Sequence, residues 1–406
     1  MSMQKGKLRF LIAAVLVTVI AVTAIVTYSI TVHLMNTGEV YLKDDSYEEL
    51  MQYYELKHVR SIIEEEYALE PTEGQSTELI HGAAQGMVSA LKDGYSAFYT
   101  DEDYKAYFDE EQEGSRIAQG MLLESETTSG YLRIERVFAE TAAYDAGMVA
   151  GETLISVDGK DMRNINIDIA LGYIRGVEGT GVIIETKSSS GINKYTLTRN
   201  DAAAQLVFTD MIDDSTGYIR IEEFSGKCAE DFEQALKSME KEKVSAVIVD
   251  IRGVSGGAIA QAVDCADLLL DEGLIAYSVS RGQETMRWEA DEEISSELAV
   301  AILADGETAG VAEVFAAALQ EHGRCTVIGQ NTKGEAAATT IFKIASSGNR
   351  VRLVTALYYT PNGVQLQGTG IQADALLELG DGSVQNDSEV LLQAAQYMAS
   401  INEGNA

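Results

Sequence analysis

The sequence predicts an α/β, multidomain chain: an N-terminal membrane anchor and helical segment, a β-rich module, and an α/β core. Three patterns predict it. Residues 201–396 alternate apolar runs with amphipathic stretches, as strands and crossover helices around a buried sheet do. Residues 113–200 break into short strand-like runs punctuated by Asp-Gly and Ser-Gly turns. Residues 33–112 place apolar side chains at helical spacing instead.

Taken in order, Lys5, Lys7 and Arg9 precede an uncharged apolar stretch from Phe10 to Val32. That length can span a bilayer, and the basic flank belongs on the cytoplasmic side. The expectation is a cytoplasmic tail (1–9), a single-pass anchor (10–32) and an extracytoplasmic remainder. The apolar run continues past Ala24, which favours a retained anchor over a cleaved leader. "YEELMQYYELKHVRSIIEEEY" and "TELIHGAAQGMVSALKDG" read as two helices, the second capped by Ser76 or Thr77 and ended by Gly94. The acidic "FDEEQEGS" reads as a solvated linker.

"YLRIERVF" is a strand, "TAAYDAGMVAGETLISVDGKDM" a short helix, turn and strand, and "GVIIETKSSSGINKYTLTR" a hairpin. Beyond residue 201, "TGYIRIEEF" is a strand, "AEDFEQALKSMEKEK" a helix and "VSAVIVDIRG" a buried strand. The turn "GVSGG" and the helix "AIAQAVDCADLLLDEG" follow. "VAILADGETAGVAEVFAAALQEHGRCTVIGQNTKGEAAAT" then reads strand, tight loop, helix, strand, Gly-bearing loop, and "RVRLVTALYYTPNG" closes with β structure. Residues 397–406 form a C-terminal tail.

Composition excludes several functions. A formal charge of −34 repels nucleic acid and anionic lipid. Cys228, Cys265 and Cys325 are far apart and show neither a disulfide framework nor metal spacing, and no two of the four histidines pair at ligand spacing. No metal or cofactor is expected.

Several motifs, in order, carry a resemblance. "AAYDAGMVAGETLISVDGKDM" and "IRGVEGTGVIIET" resemble a PDZ domain. "RGVSGG" after a buried strand, "GRCTVIGQNTKG" and "LYYTPNGVQLQGTGIQAD" resemble the carboxy-terminal processing peptidases, also called tail-specific proteases, which carry a Ser–Lys dyad. "MVSALKDGYSAFYT" resembles their N-terminal helical segment, which ends near an Asp-x-x-Ser turn. The resemblance covers about residues 40–380 and implies a PDZ-like domain (113–200) and a peptidase-like core (201–396).

It also implies where a catalyst would stand. The family's nucleophilic Ser lies three residues before a Glu that opens a helix. That Glu matches Glu313, so the Ser position is Gly310. The general-base Lys follows a loop glycine, here Gly334, which puts Glu335 at the Lys position. The Gln that orients the Lys falls on Thr339. Gly310 and Glu335 keep the family spacing of 25 residues, so no gap explains the change. Glycine offers no nucleophilic atom, and a carboxylate adds negative charge where an oxyanion would develop. The resemblance therefore implies a pseudoenzyme. An alternative stays open: Thr308 and Lys333, again 25 residues apart, as a displaced Thr–Lys dyad.

Other binding parts are expected to persist. Backbone N–H groups at Gly256, Gly257 and Val311 are candidates for holding a peptide carbonyl. The family's PDZ carboxylate loop matches Ala118, Gln119, Gly120 and Met121, with Met121 and Leu123 on one face beside it. The expected partners are protein C-termini or unstructured peptides, a related active protease, the membrane through the N-terminal helix, and a second copy of the chain. A working serine- or threonine-type endopeptidase and a PDZ scaffold protein of the cell envelope are the competing readings.

Overall fold

The computed structural model describes residues 22–23, 44–69, 74–93, 95–107, 117–125, 129–177, 179–200, 205–291, 294–378 and 384–404. The chain divides into two compact units, residues 1–83 and 84–406.

The first unit contains helix α1 (Asp44–Glu66) and the start of α2 (Gln75–Ser89). Arg60 bonds Glu64 one turn on and donates to the Ser76 hydroxyl at 2.6 Å. Ser76 and Thr77 therefore lie inside the helix. The Gly74 carbonyl accepts the Thr77 and Glu78 amides and starts it. Among the described residues no helix is long and apolar enough to cross a membrane. This corrects the expectation of a single-pass anchor with an extracytoplasmic remainder: α1 is studded with charges that hydrocarbon does not accept. The stretch on which that expectation rested, residues 10–32, lies outside the described residues except for Val22 and Thr23. The 108–115 linker, Gly94 and the tail's last two residues also lie outside them.

In the second unit β1 (Ala97–Tyr99) and α3 (Asp101–Tyr107) lead into the β-rich module. Its elements are β2 (Ile117–Ala118), β3 (Met121–Ser125), β4 (Leu132–Val137), α4 (Ala142–Asp145), β5 (Thr153–Val157), β6 (Lys160–Asp161), α5 (Ile167–Ile174), β7 (Gly181–Ser188) and β8 (Gly191–Thr198). The antiparallel sheet runs β2-β3-β4-β5-β7-β8, with β6 against β5. Single alternation along β7 buries Val182, Ile184 and Thr186. Val182 and Ile184 join Leu123, Ile134, Leu154 and Leu171 in one core. Asn166 caps α5 by accepting the Asp168 amide at 2.9 Å.

The core continues through β9 (Val207–Met211), β10 (Thr216–Ile221), α6 (Cys228–Glu242), β11 (Ala246–Asp250), α7 (Ile259–Asp267), β12 (Gly273–Ser280) and β13 (Gln283–Ala290). Then come β14 (Ala299–Ala304), α8 (Val311–Glu321), β15 (Cys325–Gly329), β16 (Ala337–Lys343), β17 (Arg350–Tyr359), β18 (Ala375–Leu376) and α9 (Val384–Gly404). One sheet runs β18-β15-β14-β11-β10-β9, parallel except for β9. Strand β11 is buried along its whole length because both faces are covered. Val247 and Val249 pack with Phe232, Leu236 and Phe315, whereas Ala246 and Ile248 pack with Val390, Ala394 and Met398 of α9.

A second sheet, β1-β17-β12-β13 with β16 on β17, corrects the reading of residues 33–112 as helical throughout. Strand β1 pairs antiparallel with residues more than 250 positions away, a partner no local pattern shows. The β-rich module is tied to the core by polar contacts. Arg136 on β4 meets Glu222, Arg352 on β17 meets Asp168 of α5, and the Tyr99 hydroxyl donates to Asp168 at 3.1 Å.

Candidate functional site

In an open parallel sheet the loops that leave the carboxyl ends of the strands build the binding crevice. Here the loops after β11, β14 and β15, three adjacent parallel strands, converge at that end.

The loop after β14 is folded around Asp305. Its carboxylate accepts the amides of Gly253, Glu307 and Thr308 at 2.9 to 3.1 Å. The loop ends at Gly310, the N-cap of α8, with φ 69° and ψ −132°. A side chain held at this φ is strained, as the nucleophile of a strand-to-helix elbow is, but glycine adopts it freely. A Cβ built on Gly310 would approach the Ser255 carbonyl to 3.2 Å, which a small shift relieves. The conformation persists, but the residue has no side chain to present.

Glu313 sits one turn into α8 and is fully buried. Its carboxylate accepts the Gly310 amide at 3.1 Å, the Thr332 hydroxyl at 2.5 Å, and the Gly334 and Glu335 amides at 2.7 and 3.1 Å. Burial pushes its carboxyl above the ordinary range, against the pull of these donors. This one side chain joins the loop after β14 to the loop after β15. The second loop is held further by the 366–371 turn. Gly368 donates to the Gly334 carbonyl at 2.7 Å, and a Cβ on Gly334 would lie 2.8 Å from the Gly370 nitrogen.

Gly310 and Glu335 are brought together, through backbone. The Glu335 carbonyl accepts the Gly310 amide at 2.9 Å and the Tyr95 hydroxyl at 2.6 Å. The Glu335 carboxylate is turned to the surface, 3.3 Å from Lys333. Thr339 stands on β16 opposite Val354 and is exposed.

The displaced pair is also brought together through backbone, the Thr308 carbonyl accepting the Lys333 amide at 2.9 Å, but the two side chains do not meet. The Thr308 side chain is buried, its hydroxyl donating to the Ile251 carbonyl at 3.1 Å or to Asp305 at 2.9 Å and accepting the Asp305 amide. The Lys333 ammonium lies at the surface between Glu335 and Glu307, at 3.3 and 3.7 Å. Among the described residues no hydrogen bond links the two side chains.

The Ser255–Gly257 turn abuts the start of α8. Gly257, with φ 123°, pairs with Phe224, and a Cβ there would lie 2.4 Å from the Phe224 carbonyl. Val311 opens α8 beside this turn and is buried. Gly256 is half-buried.

Ala118, Gln119, Gly120 and Met121 form a tight hairpin between β2 and β3. Gln119 and Gly120 are both left-handed, and Ala118 pairs with Met121. The two central carbonyls accept the Ala143 and Phe138 amides. A Cβ on Gly120 would collide with Thr141 at 1.9 Å, so packing demands a glycine there. Met121 and Leu123 are fully enclosed in the module's core, which corrects the expectation that they flank the loop on an open face. The sheet continues on both sides of β3, and α5 closes over it.

Two contributions escape a reading of the sequence. Tyr95 stands inside the Asp-x-x-Ser turn, where Asp93 accepts the Tyr95 and Ser96 amides and the Ser96 hydroxyl. Burial first, then the Glu335 and Glu313 carboxylates, push its phenol well above the ordinary value, so it stays a donor. The only signal was its place within the motif. The second is Asp250, fully buried at the end of β11, which meets Arg220, Arg252 and the Tyr218 hydroxyl. Burial opposes its charge, but Arg220 and Arg252 prevail and hold its carboxyl below the ordinary range.

Chemically, the crevice offers backbone amides, a buried carboxylate clamp and a surface ion pair. At the elbow it offers no attacking atom. Among the described residues no cluster of His, Cys, Asp and Glu could hold a metal ion.

Peptidase family S41 matches residues 215–377, which include all three loops. The chain is 28% identical over 367 residues to the carboxy-terminal processing protease CtpA of Bacillus subtilis, covering 89% of this chain and 77% of that one. It is 29% identical over 310 residues to a carboxy-terminal-processing protease of Bartonella bacilliformis, covering 74% and 70%. Among solved structures, the photosystem II D1 C-terminal processing protease superposes with a TM-score of 0.56 at 20% identity, covering 82% of this chain and 90% of that one, a likeness of fold.

Proposed function

We propose, since this chain belongs to the carboxy-terminal processing peptidases of family S41, that it is a catalytically silent member that binds unstructured protein C-termini or modulates an active relative. One observation carries the reading. The elbow is intact in backbone at φ 69° and ψ −132°, yet Gly310 occupies it. Acyl transfer by covalent catalysis needs a side-chain oxygen or sulfur at that point and a base beside it. The residue at the base position is Glu335, whose carboxylate pairs with Lys333 at the surface. The surviving clamp of Glu313 supports a role for the crevice as a shape, since it holds two loops in register without any catalyst between them.

The hairpin at Ala118–Met121 is the proposed receptor for a terminal carboxylate. Arg175 at the end of α5 donates to the Ile117 carbonyl at 2.8 Å and brings a positive charge to the same corner. A peptide would add as a strand at the outer edge of β2, since β3 already pairs with β2 and β4.

The test mixes purified chain with an unstructured peptide carrying a free C-terminus and follows binding and cleavage together. Binding without cleavage is expected. Turnover abolished by Thr308→Ala or Lys333→Ala would establish the displaced dyad instead. Neither binding nor turnover would leave an architectural scaffold.

A further inference from the structure

We propose that Cys228 and Cys265 are the site of an intramolecular disulfide that staples helix α6 to helix α7 behind the Gly257 turn. The two sulfurs lie 4.0 Å apart, and both side chains are fully buried in one apolar cluster. Cys228 is the first residue of α6 and Cys265 lies in the last half of α7. The two helices meet directly at this point. Gln261, one turn before Cys265 on the same face, accepts the Ala229 amide at 2.9 Å and so fixes the first turn of α6 over α7. A disulfide needs its sulfurs about 2.05 Å apart.

The position gives the bond a consequence. The strap before α6 runs Phe224 to Lys227 and bends at Gly226, which is left-handed. Its Phe224 carbonyl accepts the Ala258 amide at 2.8 Å and pairs with Gly257. Helix α7 begins immediately after that turn. A bond from Cys228 to Cys265 closes a covalent ring of residues 228–265 that contains the Gly257 turn, and the strap enters that ring at Cys228, so the backbone beside Gly310 is held from behind. Cys325 lies on β15 and is not part of this contact.

The reactant is a low-molecular-weight disulfide acting while the first turn of α6 is open. The thiolate of one cysteine attacks it, releasing one small thiol and forming a mixed disulfide. The second cysteine, having lost its proton to water, displaces the second small thiol. Two protein thiols are oxidised and one small disulfide is reduced to two thiols.

The experiment refolds the full chain in mixtures of oxidised and reduced glutathione. Thiols are then counted in denaturant with Ellman's reagent, the linkage is mapped by mass spectrometry of proteolytic peptides, and melting is recorded. One remaining thiol, a peptide joining Cys228 to Cys265, and a melting temperature higher than that of the reduced chain by about 5 °C or more are expected. Cys325→Ser should keep the link and leave no free thiol. Cys228→Ser should lose the link. If that variant fails to fold, the peptide map and Cys325→Ser still decide. Three free thiols at every glutathione ratio, a link that includes Cys325, or equal melting of the oxidised and reduced chains would overturn the proposal.

Discussion

The Glu313 carboxylate accepts the Gly334 amide at 2.7 Å, across 21 residues of chain, and binds the elbow loop to the loop after β15. Its other donors are Gly310, Thr332 and Glu335, all at the same crevice. Glu313→Ala would strand several buried donors at once. A loss of about 4 kcal/mol is expected from urea unfolding, with Glu313→Gln losing about half as much because one oxygen remains. Equal stability of the Ala variant and the parent would mean that the clamp does not hold the crevice.

The backbone conformation at Gly310 gives the proposed catalytic silence a direct test. A Ser side chain at 310 needs only a slight retreat of the Ser255 carbonyl, now 3.2 Å from the built Cβ. Gly310→Ser alone should remain inert toward a fluorophosphonate probe, because no base stands beside it. The triple variant Gly310→Ser, Glu335→Lys, Thr339→Gln should label. Labelling of the single variant, or of the parent, would show that another group activates the site.

Two glycines separate strain from collision. Gly257 and Gly147 both have positive φ, but a Cβ on Gly257 would lie 2.4 Å from a backbone carbonyl, whereas nothing lies within 4 Å of one on Gly147. Gly147→Ala should cost about 1 kcal/mol, the price of the left-handed conformation alone. Gly257→Ala should cost at least about 3 kcal/mol or prevent folding, since backbone must move. Thermal melts rank them, and a reversed ranking would contradict the described turn.

Two buried carboxylates respond to pH in opposite senses. Asp250 is held below its ordinary value once Arg220 and Arg252 overcome burial, so its stabilisation is present above the unfolded value near 4 and is lost as pH falls through the folded value. Glu313 is raised by burial, so its contribution is complete below the unfolded value and is lost as pH rises through the folded one. The stability gap between the parent and Asp250→Asn should therefore narrow as pH drops from about 5 toward 3, whereas the gap for Glu313→Gln should widen as pH drops from about 7 toward 4 and stay level below. Urea midpoints across these ranges measure both, and parallel curves would remove the assignment.

The parallel sheet was legible because burial on both faces leaves near-continuous apolar runs such as "VSAVIVDIRG", and the helices between them carry an apolar stripe. Gly310 and Glu335 were assigned from the register set by Glu313 and Gly334, and hydrogen bonds join these four residues in the structure. What escaped was non-local. Strands β12 and β13 form a hairpin whose outer strand, "QETMRWEA", is mostly exposed and lacks an apolar rhythm. Strand β1 has three residues and takes its identity from β17. The Tyr95–Glu335 contact spans 240 residues, so no window on the sequence contains it. Gly120 carried a true signal, a position closed to any side chain, but packing against Thr141 accounts for it without a ligand.

Peptide recognition can still be measured at that corner. The hairpin Ala118–Met121 holds two consecutive left-handed residues, and Arg175 lies against the adjoining strand through Ile117. A terminal carboxylate placed there would gain the guanidinium charge and the N–H groups of the turn, and an amidated terminus would gain neither. The gain must exceed the entropy lost when a flexible peptide is ordered as a strand, which limits affinity to the order of micromolar. The chain's charge of −34 works against acidic peptides and adds a salt dependence of opposite sign to the Arg175 contact. Neutral peptides with an apolar last residue isolate the carboxylate term. Fluorescence anisotropy with labelled free and amidated forms should then show binding of the free form that is at least about tenfold tighter, equivalent to one charge-assisted hydrogen bond, and Arg175→Gln should bring the two forms together. Equal affinity of the free and amidated peptides for the parent chain would leave the hairpin as a structural turn and remove the receptor from the proposed function.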